Sequence, residues 1–385
     1  MLDLTRLLSG RHGAADRLRY GVAVGTVGPV VVWNLTPDCN LRCRHCYAAA
    51  RAAETDILSC DEALRTVDAL AELGTPALLL SGGEPMLFPW LFDVAERARA
   101  RGIRVTLSSN GTLIDTEAAA RLKALDIAYV GISIDGTPKV HDRFRGVDGA
   151  YARSLEAMRR CRDAGIKVGL RVTMNRQNVG DLDRIFDFMC REGFRRVCFY
   201  HLVATGRAAS IREDALSPAE TREAATRLFE LTDSLTAGGD GPEVLTVDNH
   251  CDAPWLWLWL KERNDPRADA VLPLLRRNGG NASGSRFLCV SWDGTLYPDQ
   301  FWATRPIGSV RAPGWTERWR NPPAGTLLAA LRDRAAHLTG RCAGCRFLGL
   351  CAGNLRARAE AAGLGPWGSD PGCYLTDDEI GGTLP

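Results

Sequence analysis

The chain has 385 residues, 45% of them hydrophobic and 24% charged, with 48 basic against 46 acidic side chains and a net charge of +2. That balance excludes wholesale disorder, collagen-like repeats and a partner held by bulk positive charge, so no nucleic-acid partner is expected. The longest apolar run, Trp255–Leu260, is far short of the roughly 18 residues a membrane helix needs, and the first residues lack the apolar core of a secretion signal, so a cytoplasmic protein without a membrane partner is expected.

A leader over 1–27, whose Leu/Arg spacing allows an amphipathic helix and which otherwise reads as frayed, precedes the first strand. From about 30 to 200, short apolar runs alternate with amphipathic stretches. Strands are predicted at Val30–Leu35, Ala77–Leu80, Gly102–Leu107, Ala128–Ile134, Lys167–Val172 and Arg196–His201. Helices are predicted between them at Asp61–Leu73, Trp90–Arg101, Glu117–Leu125, Tyr151–Ala164 and Leu182–Arg191. Such alternation predicts an α/β fold, a parallel sheet of six units that closes only part of a (β/α) barrel. Ser217-Pro218 starts one more helix, to Leu235, as N-cap and first helical residue. Then come a strand at Glu243–Val247, a long loop over Asp265–Ser285, and a hairpin over Phe287–Tyr297 turning at Asp293-Gly294. From Arg341 the pattern fades and reads as a small domain folded around a metal. The expected division is a barrel over 28–237, a bridging region over 238–340 and a cysteine-rich domain over 341–385. No GxGxxG fingerprint supports a dinucleotide site.

The cysteines number thirteen, an odd count, and without a secretion signal they read as metal or redox ligands rather than a disulfide framework. Cys39-Asn-Leu-Arg-Cys43-Arg-His-Cys46 follows the first strand directly. Three thiolates on one loop can bind three irons of a cubane cluster, which leaves the fourth iron open to a small molecule. A zinc loop is the alternative, but zinc wants four ligands and His45 is poorly spaced to be the fourth. Cys342-Ala-Gly-Cys345, Cys351 and Cys373 form a second group, with a spacing that a zinc knuckle also fits. Cys60, Cys161, Cys190, Cys198 and Cys251 lie in apolar or helical contexts and read as buried small hydrophobes.

CxxxCxxC after the first strand of a six-unit βα chain resembles the radical SAM superfamily. The resemblance implies a [4Fe–4S] cluster on Cys39, Cys43 and Cys46, whose open iron takes S-adenosylmethionine (SAM) and whose electron cleaves it to methionine and a 5′-deoxyadenosyl radical. Ser81-Gly82-Gly83-Glu84-Pro85 matches the family's GGEP motif, which receives the methionine ammonium. Ser109 and Asn110 end the third strand, Ser133 and Asp135 the fourth and Arg171 the fifth. The resemblance makes these cofactor contacts, Ser133 to the ribose and Arg171 to the SAM carboxylate. The second cysteine group resembles the SPASM extension of these enzymes, and implies a second [4Fe–4S] cluster on Cys342, Cys345, Cys351 and Cys373, closed to substrate and suited to electron transfer. Asp299 and Leu355 stand where that pattern has further cysteines, and Asn278–Gly284 holds none. Another auxiliary cluster is therefore missing, and free volume between barrel and extension is expected in its place.

Over about 28–380 the chain is similar to the tetrapyrrole side-chain branch of that group. The matching stretches are Thr246–His250, Arg277–Gly284, Cys289–Trp302, Cys351–Ala359 and Ser369–Leu375. The branch implies removal of propionate side chains from 12,18-didecarboxysiroheme, as in heme d1 biosynthesis, with a low-potential donor of flavodoxin or ferredoxin type. Sibling reactions are acetate removal from a siroheme derivative and decarboxylation of coproheme. A peptide-modifying maturase is a further alternative, though few residues precede the first strand to form a peptide-recognition module. A non-catalytic metal-binding scaffold is the third. A flat apolar disc with an anionic rim needs aromatic faces and Arg forks. The rim candidates are His201, Arg207, Arg286, Arg356 and Arg358, and the faces Tyr200, Trp255 and Trp257. His250, beside Asp248, reads as an iron ligand, an acid–base group or a satisfied core histidine. No catalytic acid or base is assigned.

Overall fold

The structure, a computed structural model, describes residues 1–13, 15–21, 28–48 and 56–384. Its strands are β1 (Leu2–Asp3), β2 (Val30–Asn34), β3 (Ala77–Ser81), β4 (Arg104–Ser109), β5 (Tyr129–Ser133), β6 (Val168–Met174), β7 (Arg196–His201), β8 (Glu243–Val247), β9 (Phe287–Val290), β10 (Thr295–Tyr297) and β11 (Gly308–Ser309). They form one sheet in the order β1-β8-β7-β6-β5-β4-β3-β2-β9-β10-β11. The six predicted units, β2 to β7, run side by side and parallel. Two more parallel strands flank them, β8 beyond β7 and β9 beside β2. The sheet is thus an open partial barrel, wider than six units because the stretch after Gly238 returns to both of its edges.

The strands are near-continuous apolar runs, as parallel strands covered on both faces must be. Val31, Val32 and Trp33 are all buried, as are Tyr129, Val130 and Ile132. Helices start where capping chemistry allows. Ser59 with Glu62, and Ser217 with Glu220, form reciprocal capping boxes, and Pro218 holds the first turn of Pro218–Thr236. The hairpin is present, with Leu296 opposite Val290 and Gly294 at φ 82°.

Three expectations are corrected. The described part of the leader is packed: Leu4 and Leu7 are buried, Asp3 caps the helix Leu4–Ser9, and β1 pairs antiparallel with β8. An otherwise open sheet edge is thereby covered. The supposed long loop carries a helix, Arg267–Asn278, closed by Gly279 in the left-handed region. A further helix, Pro138–Arg145, is short and charged, which hides it from apolar spacing. Cys190 is exposed, since Leu182, Ile185, Phe186 and Met189 take the buried face of its helix.

The Trp-rich run lies in a buried helix, Asp252–Glu262, and no helix among the described residues is long and apolar enough to cross a membrane. The chain after Arg341 is short helices and turns around Phe347 and Leu350, both fully buried. Room between barrel and extension is present as a cavity lined by Met174, His201 and Leu202 on one side and Arg358, Ala361 and Gly372 on the other, while the positions that lack the further cysteines are themselves packed. Asp299 is buried and accepts hydrogen bonds from Ser283 Oγ (2.5 Å) and Phe301 N (2.9 Å). Leu355 packs with Val203, Trp302 and Leu331 in an apolar cluster of its own.

Candidate active site

The C-terminal ends of β2 to β7 surround one cavity, where partial barrels carry their chemistry. Its lining includes Cys39, Cys43 and Cys46, then Gly82, Gly83, Ser109, Asn110, Ser133 and Arg171. The cysteine loop is held from two sides. From β3, Gly83 N donates to Thr36 O and Glu84 N to Asp38 O, both at 2.7 Å. From beyond β5 and β7, Arg42 N donates to Arg145 O (3.0 Å) and Arg207 Nε to Cys43 O (3.0 Å). The glycine pair therefore acts first as a close-packed clamp on the loop. A Cβ on Gly83 would stand 2.0 Å from Asp38 O.

Glu84 is displaced from its expected role. It does not line the cavity; it is fully buried and accepts from Ser109 Oγ (2.7 Å), Asn110 N (2.8 Å) and Met86 N (3.2 Å). It ties the end of β4 to the turn after β3. Burial pushes its carboxyl up to about 7. Between pH 4.5 and 7 the folded chain therefore keeps a proton that the unfolded chain has released. Stability is greatest below that window and falls as pH rises through it, by up to about 3 kcal/mol. In Glu84→Gln this contribution vanishes, so the drop in melting temperature from pH 5 to pH 8 should be smaller than in the parent chain. An equal drop in both would show that Glu84 does not titrate there.

Asp135 is likewise a support. It is fully buried, accepts from Arg145 Nε (2.7 Å) and from Thr173 N (2.9 Å), and does not line the cavity. Arg145, which sequence reading missed, reaches on from Asp135 to the Cys43 sulfur (Nη1 to Sγ, 3.6 Å). Asn110 Nδ2 stands 4.0 Å from Cys39 Sγ. His45 stacks on Phe144 at 4.1 Å, and burial lowers its basicity to about 3. Removing Arg145 strands the Asp135 carboxylate in the interior, so Arg145→Met should cost about 3–5 kcal/mol in urea unfolding. The double variant with Asp135→Leu should recover part of that loss, because no buried charge is then left alone. A double variant as unstable as the sum of the singles would contradict this.

Ser133 and Arg171 face the cavity side by side across β5 and β6. The Arg171 guanidinium lies 4.4 Å from the Tyr200 ring centroid and makes no ion pair among the described residues. Gly131 leaves room for it, since a Cβ there would meet Arg171 Cδ at 2.7 Å. Across the cavity is Asp248, a non-glycine residue at φ 71°, whose carboxyl burial pushes up to about 6. Strain of that kind concentrates at functional sites. These residues fit the groups the resemblance implies. Three thiols, two of them with donors at their sulfurs, suit an iron–sulfur cluster, and a half-buried guanidinium without an ion pair among the described residues suits a carboxylate. No three Cys, His, Asp or Glu among the described residues converge on a single ion, whereas a cubane takes each thiolate on a separate iron.

The substrate candidates divide. His201 lines this cavity and an adjoining one, with Nε2 2.9 Å from the Asp252 carboxylate, which also accepts from Tyr374 Oη (2.7 Å). Arg207 and Tyr200 line the first cavity; Arg358 lines the second and forks onto Asp370 (2.7 and 3.0 Å). The others point elsewhere. Arg286 donates to Asn278 O and closes a helix end, and Arg356 is fully buried against the carbonyls of Gly353 and Gly368. His250 lines neither cavity. Trp255 is buried under Arg222, and Trp257 packs edge-on against Phe347 at 6.0 Å. Phe301 and Gln300, unread in the sequence, do line the first cavity.

The second cysteine group lines a separate small cavity, where Cys342, Cys345, Cys351 and Cys373 meet a fifth thiol, Cys251.

Residues 33–189 match the radical SAM superfamily. The chain is 44% identical to an Fe-coproporphyrin III synthase of Methanosarcina barkeri, over 99% of each chain. It is 39% identical to a pre-heme d1 synthase of Dinoroseobacter shibae, over 94% of this chain and 89% of that one. The solved structure of Streptococcus suis SuiB bound to the precursor peptide SuiA shares the fold, with a TM-score of 0.72 at 15% identity over 91% of this chain and 77% of that one. The chain belongs to the radical SAM superfamily and is an enzyme of the family that holds the Fe-coproporphyrin III and pre-heme d1 synthases.

Proposed function

We propose that the enzyme removes carboxylate side chains from a didecarboxysiroheme-type tetrapyrrole. When bound, the [4Fe–4S] cluster and SAM of this superfamily supply a 5′-deoxyadenosyl radical that abstracts a hydrogen atom. The chain's own residues give that chemistry its place. Cys39, Cys43 and Cys46 would hold the cluster, with Arg145 and Asn110 at their sulfurs. Arg171 would take the SAM carboxylate, Gly82 and Gly83 the ammonium through backbone carbonyls, and Ser133 the ribose. His201, Arg207 and Arg358 would meet substrate carboxylates, with Tyr200 and Phe301 as apolar neighbours. Cys342, Cys345, Cys351 and Cys373 would hold a second [4Fe–4S] cluster, and a low-potential flavodoxin or ferredoxin would supply the electron.

The observation that carries this reading is the whole-length likeness to two tetrapyrrole synthases, joined to a cavity that pairs the cysteine loop with Arg171, which makes no ion pair among the described residues. The resemblance drawn from the sequence makes propionates the groups removed, the heme d1 reaction. Acetate removal is the second reading, and the higher identity and fuller coverage of the Fe-coproporphyrin III synthase favour it. The test is anaerobic turnover with reductant and SAM, offering 12,18-didecarboxysiroheme and coproheme in separate reactions and reading masses. Loss of propionates supports the first reading and loss of acetates the second. Vinyl formation from coproheme would move the enzyme to the sibling decarboxylation. Deoxyadenosine with both tetrapyrroles unchanged would overturn the tetrapyrrole reading.

A further inference from the structure

His201 is the last residue of β7 and stands between two cavities, the one that holds the cysteine loop and the adjoining one lined by Asn249 and Arg358. Its ring is held from behind. Nε2 lies 2.9 Å from Oδ2 of Asp252, the first residue of the helix Asp252–Glu262, and Asp252 Oδ1 accepts from Tyr374 Oη at 2.7 Å. The three residues lie 51 and 122 positions apart in sequence, so only the fold brings them together. Asp252 is fully buried. Burial opposes its charge, but the facing His201 ring and the hydrogen bonds from His201 and Tyr374 outweigh it and hold the carboxyl below its ordinary range.

An ionised Asp252 can only accept, so Nε2–H donates to it and Nδ1 is the nitrogen left for chemistry. No hydrogen bond among the described residues reaches Nδ1. Buried polar atoms are normally paired, so a ring tied at one nitrogen and set beside two cavities points to a ligand. The side-chain removal proposed above needs a proton at this place. After hydrogen abstraction, a C–C bond between ring and side chain, next to the radical carbon, breaks homolytically. One of its electrons pairs with the unpaired electron as a new C=C bond, and the other stays on the far carbon. That carbon becomes C–H by taking one electron from the low-potential donor and one proton. Arg171 and Arg207, which also line the cavity, do not release protons, and burial holds the Tyr200 phenol well above its ordinary value. Asp248 is the rival, since it lines the same cavity.

We propose that His201, anchored on Asp252 through Nε2, is the catalytic acid that gives this proton from Nδ1, becoming neutral and regaining a proton from solvent. The inference rests on the side-chain removal proposed above. Its first test needs no cofactor. In the full chain labelled with 15N-histidine, which has six such rings, the His201 signals are assigned by their loss in His201→Gln. Nε2 should stay protonated and Nδ1 should be the nitrogen that gains and loses a proton, and Asp252→Asn should abolish that fixed tautomer. A neutral ring with its proton on Nδ1 would overturn the proposal. The second test is anaerobic turnover in D2O with reductant, SAM and 12,18-didecarboxysiroheme. The parent chain should place one carbon-bound deuterium per side chain lost, in the released acid or in the tetrapyrrole, and none would overturn the proposal. In His201→Gln, deoxyadenosine should still form while side-chain loss slows by about a hundredfold or more, and Asp252→Asn should lower the ratio of the two by a smaller factor. Equal loss of both in His201→Gln would make the residue a binding group only, and a ratio lowered in Asp248→Asn but not in His201→Gln would give the proton to Asp248; either result overturns the proposal. A parent chain that forms deoxyadenosine and leaves the tetrapyrrole unchanged would instead overturn the side-chain removal itself.

Discussion

Gly83→Ala should abolish cluster assembly at Cys39, Cys43 and Cys46 without altering any cysteine. The added Cβ would stand 2.0 Å from Asp38 O, 2.6 Å from Asp38 C and 2.9 Å from Pro37 O. All three are backbone atoms of the loop one or two residues before Cys39, and none can swing aside as a side chain would. The clash opposes the Gly83–Thr36 and Glu84–Asp38 bonds that fix that loop against β3. Overpacking of this kind costs about 1–3 kcal/mol, occasionally more. The cost falls on the segment that must hold three sulfurs in register. The reconstituted variant should therefore show the absorbance and iron of the second site only. Gly180→Ala, where an added Cβ meets nothing within 4 Å, is the matched control and should bind iron like the parent chain. Full iron in Gly83→Ala would show that the glycine is not the clamp.

Arg171→Met should separate cluster from cosubstrate. No hydrogen bond among the described residues joins Arg171 to Cys39, Cys43 or Cys46, so iron content should stay at the parent level. SAM binding should weaken by at least about a hundredfold, the equivalent of some 2.7 kcal/mol for a buried charge-assisted contact. The residue is half-buried, faces the cavity over the Tyr200 ring and makes no ion pair among the described residues. Equilibrium dialysis with labelled SAM, at matched iron content, reads this directly. Arg171→Lys should recover only part of the affinity, because an ammonium cannot fork onto a carboxylate. Unchanged SAM binding in Arg171→Met would place the carboxylate elsewhere in the cavity.

Much of the fold was legible because parallel strands are plain apolar runs between amphipathic helices. β2 to β7 fall within a residue or two of their predicted bounds. What escaped was set by tertiary contact. Leu2–Asp3 has no strand pattern of its own and becomes a strand by covering the edge of β8. Arg267–Asn278 carries Pro273 and was read as loop on composition, yet Val271, Leu272 and Leu275 bury one face.

The site shows the same division. The cysteines and strand-end polar residues were readable because their spacing is chemical. Glu84 and Asp135 were readable as important but not as supports, since only the fold shows that their oxygens are already occupied. Arg145 had no local signal: its relation to Cys43 spans 102 positions. The arginines chosen for the substrate rim failed where a backbone carbonyl had claimed the guanidinium, as at Arg286 and Arg356. Trp255 and Trp257 failed because an aromatic run at helical spacing more readily fills a core than lines a pocket.

Hydrogen abstraction from a tetrapyrrole side chain in the cavity at the ends of β2 to β7 predicts that the abstracted hydrogen passes to 5′-deoxyadenosine. The most direct measurement is isotope transfer in anaerobic turnover, with 12,18-didecarboxysiroheme deuterated in its propionate and acetate methylenes. Mass analysis of the 5′-deoxyadenosine should show one deuterium gained per turnover, and label confined to one type of side chain would name which group is removed. Deoxyadenosine formed at the same rate with and without the tetrapyrrole, and carrying no deuterium, would contradict the account.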